Sequence, residues 1–321
     1  MLNVAIIGSG NIGSRHLQGL FYSKNKLNIF VIDSNNKSLK IAKDRYESID
    51  TKKNNKLFYS KDIDILPKSI DLGIIATTAS VRFQVLQFLL KNIKINNLIL
   101  EKIVFQRAEH FYIIEKELNK RKINTWINCP RRSYSIYKYI NKIIANHIIE
   151  VTVEYRNWGL GCNSIHMIDL FFYLTDQKKI SYDNTKLIMK NINSKRGEYK
   201  ELSGEFSIES SRGDILKIID HENSSKELLL TIKTSEYKII INENKKILYI
   251  DHLGTKEKKE NIDIPFQSML TGFVADKIFS EGKCELVKYS DCMVYHIPMI
   301  ESFNNHFSKI YKKKISVCPI T

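Results

Sequence analysis

A glycine-rich turn set between a strand and a helix constrains this chain more than any other feature. The apolar run Leu2 to Ile7 leads directly into Gly8-Ser9-Gly10-Asn11-Ile12-Gly13, and a helical pattern continues from Ile12 to Tyr22. In a G-x-G-x-x-G turn the first glycine closes the turn and the second lets a pyrophosphate approach the backbone. The third lets the helix pack closely on the sheet. The N–H groups that open the helix, and the positive end of its dipole, then suit an anionic group. Gly8, Ser9, Gly10, Asn11, Ile12 and Gly13 are therefore the first candidate dinucleotide contacts.

The next apolar run, Leu27 to Ile32, ends at Asp33, 20 residues beyond Gly13. A carboxylate at that spacing accepts hydrogen bonds from ribose hydroxyls and repels a 2′-phosphate, which predicts NAD rather than NADP. Asp33-Ser34-Asn35 is also good capping chemistry for the following helix, and this is the competing expectation for Asp33. Further apolar runs at Leu72 to Ala76, Leu98 to Leu100 and Trp126 to Asn128 alternate with helical patterns over Lys37 to Tyr46, Val81 to Leu90 and Ala108 to Arg121. This alternation predicts an α/β Rossmann domain, a doubly wound parallel sheet, over residues 1–128. Ligands of such sheets lie beyond the carboxyl ends of the strands, which brings in Thr77 and Thr78, then Glu101 and Lys102. The last two read equally well as a solvated surface loop.

After Pro130 the texture changes. Helical patterns at Tyr134 to Ala145 and Asn163 to Leu174 flank a strand at Ile149 to Tyr155, and five strand-like runs between 204 and 251 are separated by short polar turns. Two more helices close the chain, Phe266 to Ser280 and Asp291 to Tyr311. Residues 129–321 are predicted to form an α+β domain with one large, mostly antiparallel sheet, the final helices being candidates to pack back on the first domain. Helices on one face only would leave an apolar sheet face to be covered, and this predicts a homodimer or homotetramer through that sheet.

The formal net charge of +15 raises nucleic acid as a partner, through clusters such as Lys195-Arg196, Lys256 to Lys259 and Lys312 to Lys314. The lysines are scattered and no aromatic stacking platform accompanies them, so solvated loops and no nucleic-acid partner are expected. Five cysteines at irregular spacing, with no C-x-x-C pair, predict thiols in a reducing compartment and no metal. No apolar run reaches the roughly 18 residues needed to span a bilayer, and no leader pattern opens the chain; no membrane insertion and a cytoplasmic location are expected.

The order and spacing of the motifs resemble the Gfo/Idh/MocA family of sugar and polyol oxidoreductases over essentially the whole length. The residues that carry the resemblance are the glycine turn, Ile70-Asp71 opening the strand to Ala76-Thr77-Thr78, Glu101-Lys102, Asn128-Cys129-Pro130-Arg131-Arg132, and Gly161 to Leu174. The family carries E-K-P after the fifth strand, and here Ile103 replaces the proline. Its D-x-x-x-H matches Cys162-Asn163-Ser164-Ile165-His166, with Cys162 in place of the aspartate.

The resemblance implies that Lys102 stands near the nicotinamide and the substrate hydroxyl, and that Lys102 and His166 are catalytic. A histidine suits proton transfer near neutrality, and a lysine can polarise the same oxygen. Read without the family, His166 is a helix histidine satisfied in the core. Asp169, at i+3 from His166, is either a substitute carboxylate or a structural one. Arg131 and Arg132 are candidates to clamp a substrate carboxylate or phosphate, or to form an interdomain salt bridge. Tyr134, Tyr137, Arg156, Asn157, Trp158 and Asn163 are candidates to line a sugar pocket with His166.

The implied activity is NAD-dependent hydride transfer at a secondary alcohol or ketone of a sugar, amino sugar or nucleotide sugar, in surface-polysaccharide sugar metabolism. Two other readings stay open. One is a reaction that recycles its own bound cofactor, and the other is a non-catalytic NAD-sensing regulatory or scaffolding protein on the same fold.

Overall fold

Short β-branched runs with no polar face become central strands of a parallel sheet, where helices cover both sides. That is the state of Val4, Ile6, Ile29, Val31, Leu72 and Ile74, all fully buried in the computed structural model. The structure describes residues 1–49, 54–156, 158–190, 199–221 and 227–321. In chain order the first elements are β1 (Leu2–Ile7), α1 (Asn11–Leu20), β2 (Leu27–Ile32), α2 (Asn36–Glu47), β3 (Lys56–Ser60), β4 (Ser69–Ile75), α3 (Ala79–Asn92), β5 (Lys94–Leu100), α4 (Ala108–Arg121) and β6 (Asn124–Ile127). Then come α5 (Ser135–Ile143), β7 (Glu150–Tyr155), α6 (Leu160–Thr175), β8 (Ile180–Asp183), β9 (Leu187–Lys190), β10 (Glu201–Ser210), β11 (Ile215–Asp220) and β12 (Leu229–Lys233). The last are β13 (Tyr237–Asn242), β14 (Ile247–His252), β15 (Thr255–Glu260), α7 (Gln267–Glu281), β16 (Val287–Lys288) and α8 (Tyr289–Tyr311).

The chain divides into two units. The first comprises Met1–Phe105, Glu109–Asn128 and Pro265–Ser290, the second Gln106–Ala108, Cys129–Ile264 and Asp291–Thr321. The first unit is the doubly wound domain, with strand order β16-β6-β5-β4-β1-β2-β3. All pairs are parallel except β16 on β6. The division at residue 128 is crossed in both directions: Gln106–Ala108 belongs to the second unit, and Pro265–Ser290, with α7, to the first, where Ala275 and Ile278 share a core with Leu17 and Leu20 of α1.

Among the described residues the second unit is built on a nine-stranded sheet of order β15-β14-β13-β12-β7-β11-β10-β8, with β9 paired to β10. It is mostly antiparallel, as the strand-and-turn pattern predicts, but β7 runs parallel to β11. The simple meander is therefore interrupted, because β7 lies between β11 and β12. Strand alternation sorts β7 cleanly: Val151, Val153 and Tyr155 are buried, while Glu150, Thr152 and Glu154 take the other face.

That other face is not the apolar surface expected. Lys217 donates to Glu150 at 2.9 Å and the His221 ring lies 3.2 Å from Glu154, so polar pairs interleave with Ile215 and Ile219 there. Among the described residues no helix is long and apolar enough to cross a membrane.

Candidate functional site

In the first unit the glycine turn has the geometry its pattern calls for. Gly8 has φ +90°, and a Cβ on it would come within 2.8 Å of the Thr77 nitrogen. A Cβ on Gly13 would lie 1.8 Å from the Gly8 carbonyl oxygen, while nothing lies within 4 Å of one on Gly10. The turn is thus tight behind and open in front. Among the described residues no side chain caps the first turn of α1. Asn11 is exposed and Ile12 half-buried at that open end.

Asp33 holds this turn in place. Its Oδ2 accepts the Ser9 N–H at 2.7 Å and the Ser9 hydroxyl at 3.3 Å, and its Oδ1 accepts the Asn35 N–H at 2.8 Å. The cap of α2 is Asn35, which accepts from the Lys37 N–H at 2.8 Å. The helix-cap role considered for Asp33 therefore belongs to Asn35. At the end of β4 the Thr77 hydroxyl is buried with no hydrogen-bond partner among the described residues. Buried hydroxyls are seldom left so, and a dinucleotide seated on the open side of the glycine turn suits that atom. Thr78 is exposed at the start of α3, its hydroxyl 3.2 Å from that of Ser80.

Glu101 follows β5 directly and is 4% exposed. Its Oε1 lies 2.9 Å from His16 Nε2 and accepts from Asn128 Nδ2 at 2.5 Å; on its other side the His16 ring meets Thr271 at 3.0 Å. Burial pushes this carboxyl up, but His16, Asn128 and the Lys102 charge together outweigh burial and hold it below its ordinary value. The reading of this pair as a solvated loop fails for Glu101, since the carboxylate is buried and engaged inside the domain. Its effect is to fix the turn in which half-buried Lys102 is the next residue.

A second device fixes the same turn, and sequence reasoning passed over it. Arg82 of α3 is 1% exposed and donates to four carbonyl oxygens: those of Glu101 at 2.5 Å and Val104 at 3.0 Å, and those of Thr77 and Ile103. One guanidinium thus ties the end of β4 to the turn around Lys102. The signal was present, since Arg82 shares the buried face of α3 with Leu86 and Leu89 at i+4 and i+7. A cavity of about 470 Å³ lined by Lys91, Lys94, Arg121 and Lys122 lies at the amino ends of β5 and β6, the edge opposite to where such sheets bind ligands.

In the second unit His166 is half-buried in the second turn of α6. At the start of that helix Asn163 Nδ2 donates to the Trp158 carbonyl at 2.5 Å, and the Cys162 thiol reaches the Gly159 carbonyl at 3.5 Å. Trp158 meets Tyr155 edge-on at 4.6 Å, with the Arg131 guanidinium 5.8 Å from the Trp158 ring. A carboxylate unforeseen from sequence also arrives here: Glu201 of β10 accepts from the Gly161 N–H at 2.5 Å.

The arginine clamp is not open. Arg131 donates to both oxygens of Glu243 at 2.9 and 2.7 Å, and Arg132 to both oxygens of Asp169 at 3.0 and 2.8 Å. Glu243 and Asp169 belong to the same unit as the arginines, so neither pair is an interdomain bridge. Burial pushes Glu243 up, yet Arg131 prevails and holds it below the ordinary carboxylate range. Asp169 is fully buried and also accepts from the Tyr295 hydroxyl at 2.5 Å, which makes it structural rather than a substitute for the family aspartate.

Tyr137 is fully buried with its hydroxyl on Glu243 at 2.5 Å, and so it lines no pocket. Tyr134 is 9% exposed, its phenol pushed up to about 12 by burial. Arg156 is exposed. Asn157, Lys195 and Arg196 lie outside the described residues.

Residues 2–124 match the Gfo/Idh/MocA family model, described as an oxidoreductase family with an NAD-binding Rossmann fold. Among solved structures, UDP-N-acetylglucosamine 3-dehydrogenase GnnA from Acidithiobacillus ferrooxidans is similar with a TM-score of 0.71 at 12% identity, over 94% of this chain and 96% of that one. An oxidoreductase from Agrobacterium radiobacter in complex with NAD+, L-tartaric acid and magnesium gives 0.72 at 12% identity over 98% of both chains. A Gfo/Idh/MocA family oxidoreductase from Vibrio cholerae gives 0.72 at 14% identity, over 98% of this chain and 100% of that one. At such identities the likeness establishes the fold. A search of curated proteins finds no match to this sequence.

Proposed function

From the match of residues 2–124 to the Gfo/Idh/MocA model, an oxidoreductase family with an NAD-binding Rossmann fold, we propose an enzyme that moves hydride between NAD and a secondary alcohol or ketone of a sugar, amino sugar or nucleotide sugar. The observation that carries this reading is the turn around Lys102. It is held from beneath by Arg82 and by the Glu101–His16 pair, at the sheet edge that also bears the glycine turn. A module that only binds NAD has no evident need for a lysine fixed in this way.

The glycine turn, Asp33, Thr77 and Thr78 hold the dinucleotide, whose nicotinamide supplies the hydride acceptor or donor when bound. Lys102 polarises the reacting oxygen, and His166 takes up the hydroxyl proton or returns it. Trp158 and Asn163 contribute to sugar recognition. The sugar class draws support from the printed activity of the Acidithiobacillus protein, which acts on a nucleotide-linked amino sugar. Surface-polysaccharide sugar metabolism is the setting we propose.

Cys162, in place of the family aspartate, favours one competing reading, an NAD-sensing regulatory or scaffolding protein. Separate NADH and NADPH titrations, followed by nicotinamide fluorescence, come first. NAD+ reduction is then measured with a sugar panel that includes UDP-N-acetylglucosamine, on wild type, Lys102→Ala and His166→Ala. Expected are tight NADH binding in all three proteins and a loss of turnover of about 100-fold or more in each variant. NADH binding without turnover, together with unchanged cellular function in both variants, would move the regulatory reading into first place.

A further inference from the structure

The start of α6 carries a carboxylate that the proposed chemistry does not use. Glu201 Oε1 accepts three backbone N–H groups, from Gly161 at 2.5 Å, Leu202 at 3.1 Å and Cys162 at 3.3 Å. Two glycines make room for it. A Cβ on Gly159 would stand 2.7 Å from Oε2, and one on Gly161 2.7 Å from Oε1. Among the described residues no hydrogen bond falls on Oε2, so one oxygen is spent on the helix and the other is left to accept.

A second, independent observation comes from the adjoining strand end, where Tyr155 packs on Trp158, the residue before the Gly159 that abuts Oε2. Tyr155 is 1% exposed, and its hydroxyl is buried with no hydrogen-bond partner among the described residues. Burial first, then the charges of Asp220, Glu201 and Cys162, keep this phenol protonated and hence a donor. A buried hydroxyl without a partner is unfavourable, and a ligand oxygen would relieve it. Trp158, edge-on to Tyr155 at 4.6 Å, adds an aromatic wall.

We propose that Glu201 and Tyr155 form a specificity subsite that reads a hydroxyl of a neutral polyol ring. The hydroxyl donates to Glu201 Oε2 and accepts from the Tyr155 phenol, with Trp158 beside the ring. The carboxylate turns away a substrate with a carboxylate or phosphate at that position. The proposal rests on the sugar-oxidoreductase reading and narrows its substrate class.

Cys162, half-buried on the same turn, serves as the reporter. Its alkylation by iodoacetamide is followed by peptide mass spectrometry with N-acetylglucosamine, myo-inositol or glucuronate present at matched high concentration. At least one of the two neutral rings slows alkylation in wild type by about fivefold or more, as mass action requires near saturation, and glucuronate does not. That protection disappears in Glu201→Gln and in Tyr155→Phe. Cys129, Cys292 and Cys318, all buried, stay unmodified in every folded variant and exclude unfolding as the cause. The subsite is overturned if neither neutral ring protects wild type, if glucuronate protects equally, or if protection survives in either variant. An NADH titration run in parallel separates the two readings, because polyol protection without NADH binding would sink the oxidoreductase and leave the subsite standing.

Discussion

His16 Nε2 lies 2.9 Å from Glu101 Oε1 with both side chains buried, and the pair joins the helix after the glycine turn to the strand end that bears Lys102. His16→Ala leaves that carboxylate buried with Asn128 as its remaining hydrogen-bond donor. Breaking a buried pair from one side costs about 3 kcal/mol. The first unit should therefore melt about 6–12 °C lower in calorimetry. A melting temperature unchanged from wild type would mean that the pair contributes nothing to the fold.

Two glycines of the turn separate folding from binding. Gly13→Ala drives a Cβ to 1.8 Å from the Gly8 oxygen, so the turn must open and both stability and NADH affinity fall. Gly10→Ala meets nothing within 4 Å. Its melting temperature should stay near wild type while NADH affinity drops by more than about tenfold, roughly 1.4 kcal/mol. Fluorescence titration beside thermal unfolding reads both quantities, and equal NADH affinity in Gly10→Ala would place the pyrophosphate elsewhere.

The Arg131–Glu243 pair makes a pH prediction. Glu243 is held below its ordinary value of about 4.3. Its share of stability is therefore present above that value and lost as pH falls through the lowered one. Glu243→Gln should cost about 3 kcal/mol at neutral pH, and the gap to wild type should close in acid. Urea midpoints measured from neutrality down to about pH 3 test this, a gap independent of pH being the contrary result.

Arg82 supports a prediction about the turn itself. Arg82→Met removes the donor shared by four carbonyl oxygens in the core. Each buried polar group left without a partner costs on the order of 1–3 kcal/mol. The variant should lose about 4 kcal/mol or more, and Arg82→Lys should recover under half of it, because an ammonium cannot match the planar fork. Thermal unfolding of both variants decides the point.

What could be read from sequence was local in kind. The edges of β1, β2 and α4 follow from apolar periods of about 2 and 3.6 residues, and the glycine turn with Asp33 follows from spacing along a short stretch of chain. β15 escaped because Thr255–Glu260 is an exposed edge strand with no buried face to impose alternation.

The sequence by itself determined the alternating strand-and-helix order of the first unit and its glycine turn, because both are written in neighbouring residues, while the roles expected of Lys102 and His166 came from the family resemblance. Only the tertiary structure decided which charges are spent inside the protein. Glu101 met His16, Arg131 met Glu243, Arg132 met Asp169, and Glu201 met the start of α6, across sequence separations of 37 to 112 residues. Such pairings are set by where the strands and helices bring charges together in a space too dry to leave them alone, and no local pattern records them.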